Sequence, residues 1–274
     1  MKPKYVLLTL ITLLGIMQVR ADVEINSENF PDDNFRNYLK NEWFGKDGVI
    51  TNSEIASISL MIVNNKAISD LKGVEYFTSL RTLYCEFNDL TSLDLSMNIR
   101  LRSLLCDNNQ LTSIDISMNT ELKELKCNNN QLSILDVSNN NDLRVLYCSF
   151  NHLVNLNVSK NSILTELKCD NNRLSSLDVS KNNKLVELDC SSNKLTTLDV
   201  SKNTALETIS CYSNFISGKP MEIFIESLPN VNYRILVILS DINEGNRITP
   251  DLMAKAHVKG WLPKCLKGEY YFGL

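Results

Sequence analysis

Seven cysteines divide this chain at a fixed interval. They recur every 21 residues in the frame L-x-x-[LI]-x-C-x-x-N-x-[LI], as Cys85, Cys106, Cys127, Cys148, Cys169, Cys190 and Cys211. A chain that returns the same apolar, thiol and amide groups to register stacks short coils, because one coil cannot bury its apolar side alone. The period therefore predicts a solenoid, an architecture that mostly serves binding.

The repeats carry a second pattern besides the cysteines. Units begin at Leu80, Leu101, Leu122, Leu143, Leu164, Leu185 and Leu206, without insertions, and the first reads LRTLYCEFNDLTSLDLSMNIR. This pattern resembles the leucine-rich repeat, specifically the secreted bacterial internalin-like proteins with 21-residue Cys-type repeats. The resemblance implies an α/β fold: a leucine-rich-repeat solenoid with a parallel β-sheet on its concave face, a helical N-terminal cap and an α/β C-terminal cap. It implies a binding surface but no particular ligand.

The first 21 residues have the pattern of a signal peptide. Lys2 and Lys4 precede an apolar run over residues 5–19, and Val19-Arg20-Ala21 has the form of a cleavage site. The run is about 15 residues, shorter than the roughly 20 needed for a membrane span, and no later segment is longer. We expect a secreted or cell-surface protein without a membrane span. Loss of Lys2, Lys4 and Arg20 takes the formal charge from -4 to -7, which disfavours nucleic acid as a partner.

Residues 22–57 are expected to form the helical N-terminal cap. Residues 30–39 read as a helix with Pro31 in its first turn. Residues 47–54 resemble the second half of an EF-hand loop, but Trp43 and Gly45 then stand where carboxylate ligands are needed. Thr51 and Glu54 also fit a helix capping box, which explains the glutamate without a metal. We therefore predict a degenerate EF-hand-like cap and no metal site, with calcium binding as the minor alternative.

The solenoid is expected to span residues 58–217, as one irregular coil and the seven repeats. The α/β C-terminal cap would follow at 218–274. Its predicted elements are helices at 220–228 and 249–258, a strand at 233–239, and a last strand formed by Trp261 and residues 269–272.

The repeat cysteines are predicted to be buried free thiols. Each follows an inward-facing residue of a short strand by two positions, so it also points inward. Thiols on adjacent parallel coils point the same way, which strains a disulfide, although export would favour one. One thiol per coil, without histidine, does not complete a zinc site. No cofactor is expected. Cys265 lies outside the period and is a candidate free thiol.

Two asparagine columns and one aspartate column follow the period. The column beginning at Asn88 is expected to satisfy backbone groups of its own bend and of the next coil. The column beginning at Asn98 marks a second bend. The intervening L-D-[LIV]-S segment turns an aspartate outward in five coils: Asp94, Asp115, Asp136, Asp178 and Asp199. Solvated turn chemistry is the preferred interpretation of these carboxylates, and a cation ladder is the alternative.

The candidate binding site lies on the exposed side of the parallel sheet. Aromatic residues recur near the strands of the first, fourth and seventh repeats, and outward aromatics often anchor interfaces. Charged residues of both signs lie beside them and would tune orientation and association rate. The predicted ligand-binding residues are Tyr84, Phe87, Leu105, Lys126, Tyr147, Phe150, Lys168, Asp189 and Tyr212. The alternative is that a duplicated three-repeat block carried the aromatics along without a role in binding.

An enzyme is not expected. His152 and His257 are the two histidines, and a pair of His257 with Cys265 lacks an orienting residue and an oxyanion hole. No phosphate-binding loop, HExxH or GxSxG motif occurs. The sequence therefore favours a binding module for a protein partner on a host or bacterial surface, with adhesion as its function. A surface-glycan binder and a structural component of the cell envelope are the alternatives.

Overall fold

A single parallel sheet runs through the repeats. The computed structural model defines residues 22–239 and 245–265. Within them, ten strands pair in chain order. They are β3 (Leu60–Ile62), β4 (Thr82–Tyr84), β5 (Ser103–Leu105), β6 (Glu124–Lys126), β7 (Val145–Tyr147), β8 (Glu166–Lys168), β9 (Glu187–Asp189), β10 (Thr208–Ser210), β11 (Arg234–Leu239) and β12 (Trp261–Cys265). The prediction of a solenoid with a parallel sheet is confirmed.

The remaining elements lie at the two ends. Before the sheet come β1 (Val23–Glu24), helix α1 (Asp33–Asn41), β2 (Val49–Ile50) and helix α2 (Asn52–Ser57). Helices α3 (Lys219–Ser227) and α4 (Pro250–Val258) precede β11 and β12. Within residues 22–239 and 245–265, no helix has the length and apolar character that a membrane crossing requires. The predicted signal peptide and the predicted strand at 269–272 lie outside the described residues.

Strict register explains the core. The partner of Leu83 in β4 is Leu104 in β5, and so on through the repeats, so each strand buries its middle residue and turns its two neighbours outward. Every repeat cysteine is fully buried, and none of the seven is in a disulfide. The Cys85 thiol donates to the Leu105 carbonyl at 3.4 Å, and burial raises the pKa of the thiol. The prediction of inward thiols without disulfides is confirmed for these seven residues. The Cys265 side chain lies outside the description.

The first asparagine column links each coil to the preceding coil by hydrogen bonds. Asn109 donates to the carbonyls of Cys106, in its own coil, and Cys85, in the preceding coil, at 3.1 and 3.0 Å. Its Oδ1 accepts the backbone N–H of Leu90 at 3.0 Å. The structural role is confirmed, but the predicted direction is wrong, since the amide reaches the preceding coil. The cause is the bend, which turns the side chain back under its own strand.

The aspartate column closes turns. Asp94 Oδ1 accepts the backbone N–H of Ser96 at 2.9 Å, and the other four aspartates bond the serine two residues later in the same way. These bonds lower the pKa of Asp94 and Asp136 below the usual value. The interpretation as turn chemistry is confirmed. The neighbouring buried amide of Asn119 donates to Leu95 and Asn98 carbonyls at 3.1 and 2.9 Å.

The first N-terminal helix differs from its prediction at both ends, since it spans 33–41 and not 30–39. Helix α1 begins at Asp33, and Asp32 caps it by accepting the Phe35 N–H at 2.9 Å. Pro31 therefore precedes the cap and is not in the first turn, because the aspartate side chain competes better for this position. The capping box at α2 is confirmed: Glu54 Oε2 accepts the Thr51 N–H at 2.8 Å, and the Thr51 hydroxyl accepts the Glu54 N–H.

The C-terminal segment continues the coils with helices. β11 pairs in register with β10, and α3 lies in the intervening coil, where the 21-residue repeats have none. Asn246 takes the place of the first asparagine column: it donates to the Cys211 and Ile238 carbonyls at 2.8 and 3.0 Å and accepts the Ile216 N–H. Strand β11 begins at Arg234, so Tyr233, which the prediction placed in this strand, lies just before it, with a positive φ of 56°.

Candidate functional site

Two columns of outward residues form the exposed sheet face. The last strand residues of β4 to β9 pair in register and give the column Tyr84, Leu105, Lys126, Tyr147, Lys168 and Asp189. The first strand residues give a parallel column that contains Glu124, Glu166 and Glu187. The structure thus brings six of the predicted site residues into one line.

Tyr147 lies at the centre of an ionic network on this face. The Lys126 and Lys168 ammonium groups sit 5.0 and 4.7 Å from its ring centroid, one from each neighbouring strand. The Tyr147 hydroxyl donates to Glu166. Burial, this hydrogen bond and the nearby carboxylates raise the pKa of Tyr147 well above its usual value. The phenol is therefore neutral at physiological pH and acts as a donor.

The two lysines are themselves held in place. Lys126 pairs with Glu124 at 2.9 Å, and Lys168 pairs with Glu187 at 2.9 Å. The Ser103 hydroxyl donates to the other Glu124 oxygen at 2.8 Å. Each partly exposed pair contributes little to stability, but a connected network restricts rotamers over five strands, β5 to β9. A partner would therefore meet preorganised charges, which reduces the entropy lost on binding.

Phe87 and Phe150 occupy a position that disfavours phenylalanine. Each follows its cysteine by two residues with φ of 55° and 54°, and their side chains are 61% and 52% exposed. The same left-handed column holds asparagine at Asn108, Asn129 and Asn171, and asparagine tolerates this conformation better than most residues. The fold therefore favours asparagine here, and neither ring is needed to fill the core.

We expect Phe87→Asn to stabilise the fold by about 0.5–1 kcal/mol, because it relieves left-handed strain at an exposed position. The reciprocal change, Asn108→Phe, should lower the free energy of unfolding by a similar amount. Urea unfolding followed by circular dichroism measures both. A loss of stability in Phe87→Asn would mean that the ring packs usefully in the folded state.

The seventh repeat does not reproduce this arrangement. Tyr212 directly follows its cysteine, so it stands in the column of Glu86 and Asp107 rather than that of Tyr84 and Tyr147. Its neighbour Phe215 is exposed at a position that aspartate, glutamine, histidine, arginine or lysine holds in the other coils, and this position is not the left-handed column. The aromatic residues therefore occupy equivalent positions in the first and fourth repeats but not in the seventh.

The sequence prediction overlooked apolar residues on β3. Leu60 and Ile62 point outward and are 51% and 47% exposed, and Ile62 pairs in register with Tyr84. The sequence contained a signal for this arrangement. Leu60, Met61 and Ile62 are three consecutive apolar residues, and the strand that buries Met61 turns the other two outward. It was missed because the outward columns were read from the 21-residue period, and the irregular first coil lies outside that period.

Glu86 and Asp107 follow the first two repeat strands on the exposed side. Glu86 Oε2 is buried without a hydrogen-bond partner among the described residues. Asp107 accepts the Asn128 N–H at 2.5 Å, yet burial and, to a lesser extent, Glu86 raise the pKa of Asp107 to about 6. Two carboxylates thus lie in adjacent coils, one with an oxygen that accepts no hydrogen bond from the described residues and one with a raised pKa.

We expect Asp107→Asn to stabilise the protein by about 1–2 kcal/mol at pH 8, after a discount for solvent screening. The raised pKa means that the folded state keeps a proton that the unfolded state releases. Stability is therefore lost as pH rises from about 4 to about 6. Asn128 in the next coil already accepts a backbone N–H at 2.8 Å, so asparagine fits. Urea unfolding at pH 4 and pH 8 checks this; an equal effect at both would contradict it.

Comparison with known proteins agrees with this geometry. No known family model matches the chain. Internalin J of Listeria monocytogenes is 40% identical over 70 residues, which are 25% of this chain and 8% of that protein. Internalin C2 from L. monocytogenes superposes with a TM-score of 0.59 and 18% identity, covering 89% of this chain and 97% of that one. A Leptospira interrogans leucine-rich-repeat protein gives 0.55 and 21%, covering 76% and 60%.

The fold is the leucine-rich-repeat solenoid. These structural likenesses establish the fold alone, and the sequence similarity is to internalins over a short stretch. Since the chain spans a small part of internalin J, nothing of that whole protein's activity transfers directly. Within residues 22–239 and 245–265, no group of three or more His, Cys, Asp or Glu could hold a metal.

Proposed function

We propose that this protein is a secreted leucine-rich-repeat binding module whose exposed sheet face, the concave face, recognises a protein on a host or bacterial surface. The observation that carries this proposal is the Tyr147 network. Its ring lies between two ammonium groups at 5.0 and 4.7 Å, on a sheet face whose outward strand residues are partly exposed. Export rests on the signal-peptide pattern of residues 1–21.

Two features of the face and one sequence similarity support the proposal. Its charges are held in a connected network, which lowers the entropic cost of binding. Phe87 and Phe150 remain exposed at positions where the fold favours asparagine. Adhesion is the function that the internalin similarity favours. A surface glycan would use the same tyrosines, but its recognition would depend less on the ion pairs.

A pull-down tests the proposal. The protein without residues 1–21 is incubated with extracellular-matrix and bacterial-surface extracts, beside a Tyr84→Ala/Tyr147→Ala variant and an Ile134→Ala/Val154→Ala control. Ile134 and Val154 are exposed and lie between strands. We expect a partner that native protein and control retain and the tyrosine variant loses at least tenfold. Equal capture by all three, each folded by circular dichroism, would favour a structural role.

A further inference from the structure

Strands β3, β4 and β5, at the N-terminal end of the parallel sheet, carry an uninterrupted apolar area on its exposed face. Leu60 and Ile62 on β3, Tyr84 on β4 and Leu105 on β5 form what we call the apolar patch. Ile62, Tyr84 and Leu105 are direct register partners. The patch differs from the next strands, where Lys126, Tyr147 and Lys168 engage one another and nearby glutamates. Contiguous exposed apolar surface of this kind marks interaction sites.

The edge of the sheet beside the patch is occupied. The Tyr38 hydroxyl on α1 hydrogen-bonds the backbone of Ile62, and Lys66 lies 5.4 Å above the Tyr38 ring. Addition of a partner strand to β3 would have to displace this contact. A partner therefore has access to the face of the patch rather than to its edge.

Charge is distributed unevenly on the two sides of the patch. Arg81 and Arg102 precede the strands, and Arg102 is paired with Glu121 at 2.9 Å. Glu86 and Asp107 follow the strands. Glu86 Oε2 has no hydrogen-bond partner among the described residues, and the Lys126 ammonium, whose charge acts on Asp107, is paired with Glu124. A partner's cation would therefore meet negative charge on this side of the patch.

We propose that the apolar patch, with Glu86 and Asp107, anchors a partner protein through a lysine or arginine side chain set beside bulky apolar residues. This inference rests on the proposed function and specifies the partner's chemistry. The apolar side chains would cover Ile62, Tyr84 and Leu105. The cation would meet the two carboxylates and be repelled from Arg81, so the charges fix the orientation of the partner. The Tyr147 network would then lie outside the anchor.

A phage-displayed library of random 12-residue peptides tests this proposal. The full chain is the bait, and enriched peptides are measured against four variants. Leu60→Ser/Ile62→Ser removes the apolar surface, and Glu86→Gln/Asp107→Asn removes the charge with little change in shape. Tyr147→Ala alters the face outside the anchor, and Val154→Ala alters an exposed position between strands. Apart from Tyr147, the variants replace five residues, and each of the five is at least partly exposed. The circular dichroism spectra should therefore be unchanged.

We expect enriched peptides to carry lysine or arginine next to aromatic or large aliphatic residues. Their affinity should fall at least tenfold with the apolar and the charge variants and remain within about twofold with Val154→Ala. Peptides that depend on Tyr147 but not on the anchor would overturn this inference and leave the proposed function standing. Acidic peptides, peptides insensitive to every variant, or a library without enrichment would also overturn it.

Discussion

Asn151→Ala is expected to destabilise the protein by about 2–3 kcal/mol, because a buried backbone N–H loses its acceptor. The buried amide donates to the carbonyls of Cys127 and Cys148 at 2.9 and 3.2 Å, and its Oδ1 accepts the Leu132 N–H at 3.0 Å. Alanine leaves the Leu132 N–H in the interior without a partner, whereas each of the two carbonyls keeps one donor from the asparagine of a neighbouring coil. Each unsatisfied group costs about 1–3 kcal/mol.

Urea unfolding followed by circular dichroism measures this loss. Asn155→Ala is the matched control, because Asn155 lies in the same coil and is exposed; its effect should stay within about 0.5 kcal/mol. Asn151→Asp keeps the acceptor but turns a carboxylate toward two carbonyl oxygens, so it should also destabilise at neutral pH. A loss below about 1 kcal/mol for Asn151→Ala would show that water replaces the amide.

Leu146→Ala is expected to cost about 3 kcal/mol, because this fully buried side chain fills the centre of β7 and its removal leaves a cavity. The position lies midway along the sheet. In a solenoid each coil contacts its neighbours alone, so weakening a central interface uncouples the two halves. We therefore also expect the unfolding transition to broaden or split.

Ile134→Ala provides the comparison, since Ile134 is 74% exposed and should contribute little. Both variants are unfolded in urea with tryptophan fluorescence and circular dichroism in parallel. Trp43 and Trp261 report on opposite ends of the chain, and circular dichroism reports on the whole. Coincident, single-step transitions in Leu146→Ala would contradict the uncoupling.

The repeat period made much of the fold predictable. In a strict repeat the environment of each residue is set by the equivalent residue one coil away, so Leu83 and Cys85 reveal the placement of their whole columns. The turn role of Asp94 followed from the same reasoning. The predicted site residues could be placed in columns for this reason, although their role in binding remains a proposal.

Other features needed three-dimensional information. The ion pairs around Tyr147 depend on the rotamers of long side chains, which a column of letters does not specify. The left-handed column could have been suspected from Asn108, Asn129 and Asn171, but Phe87 and Phe150 concealed the preference. Asn246 was not recognised as a ladder residue because a helix in its coil breaks the 21-residue spacing.

One thiol in every repeat sets a time limit on folding in an oxidising compartment. An unstacked coil exposes its cysteine, and the next lies only 21 residues away, a loop that a disulfide closes readily. Such a bridge would hold two coils out of alignment, because parallel thiols in the finished stack have poor disulfide geometry. With the export proposed above, stacking therefore has to outpace oxidation, and each coil that joins the stack removes its cysteine from that competition.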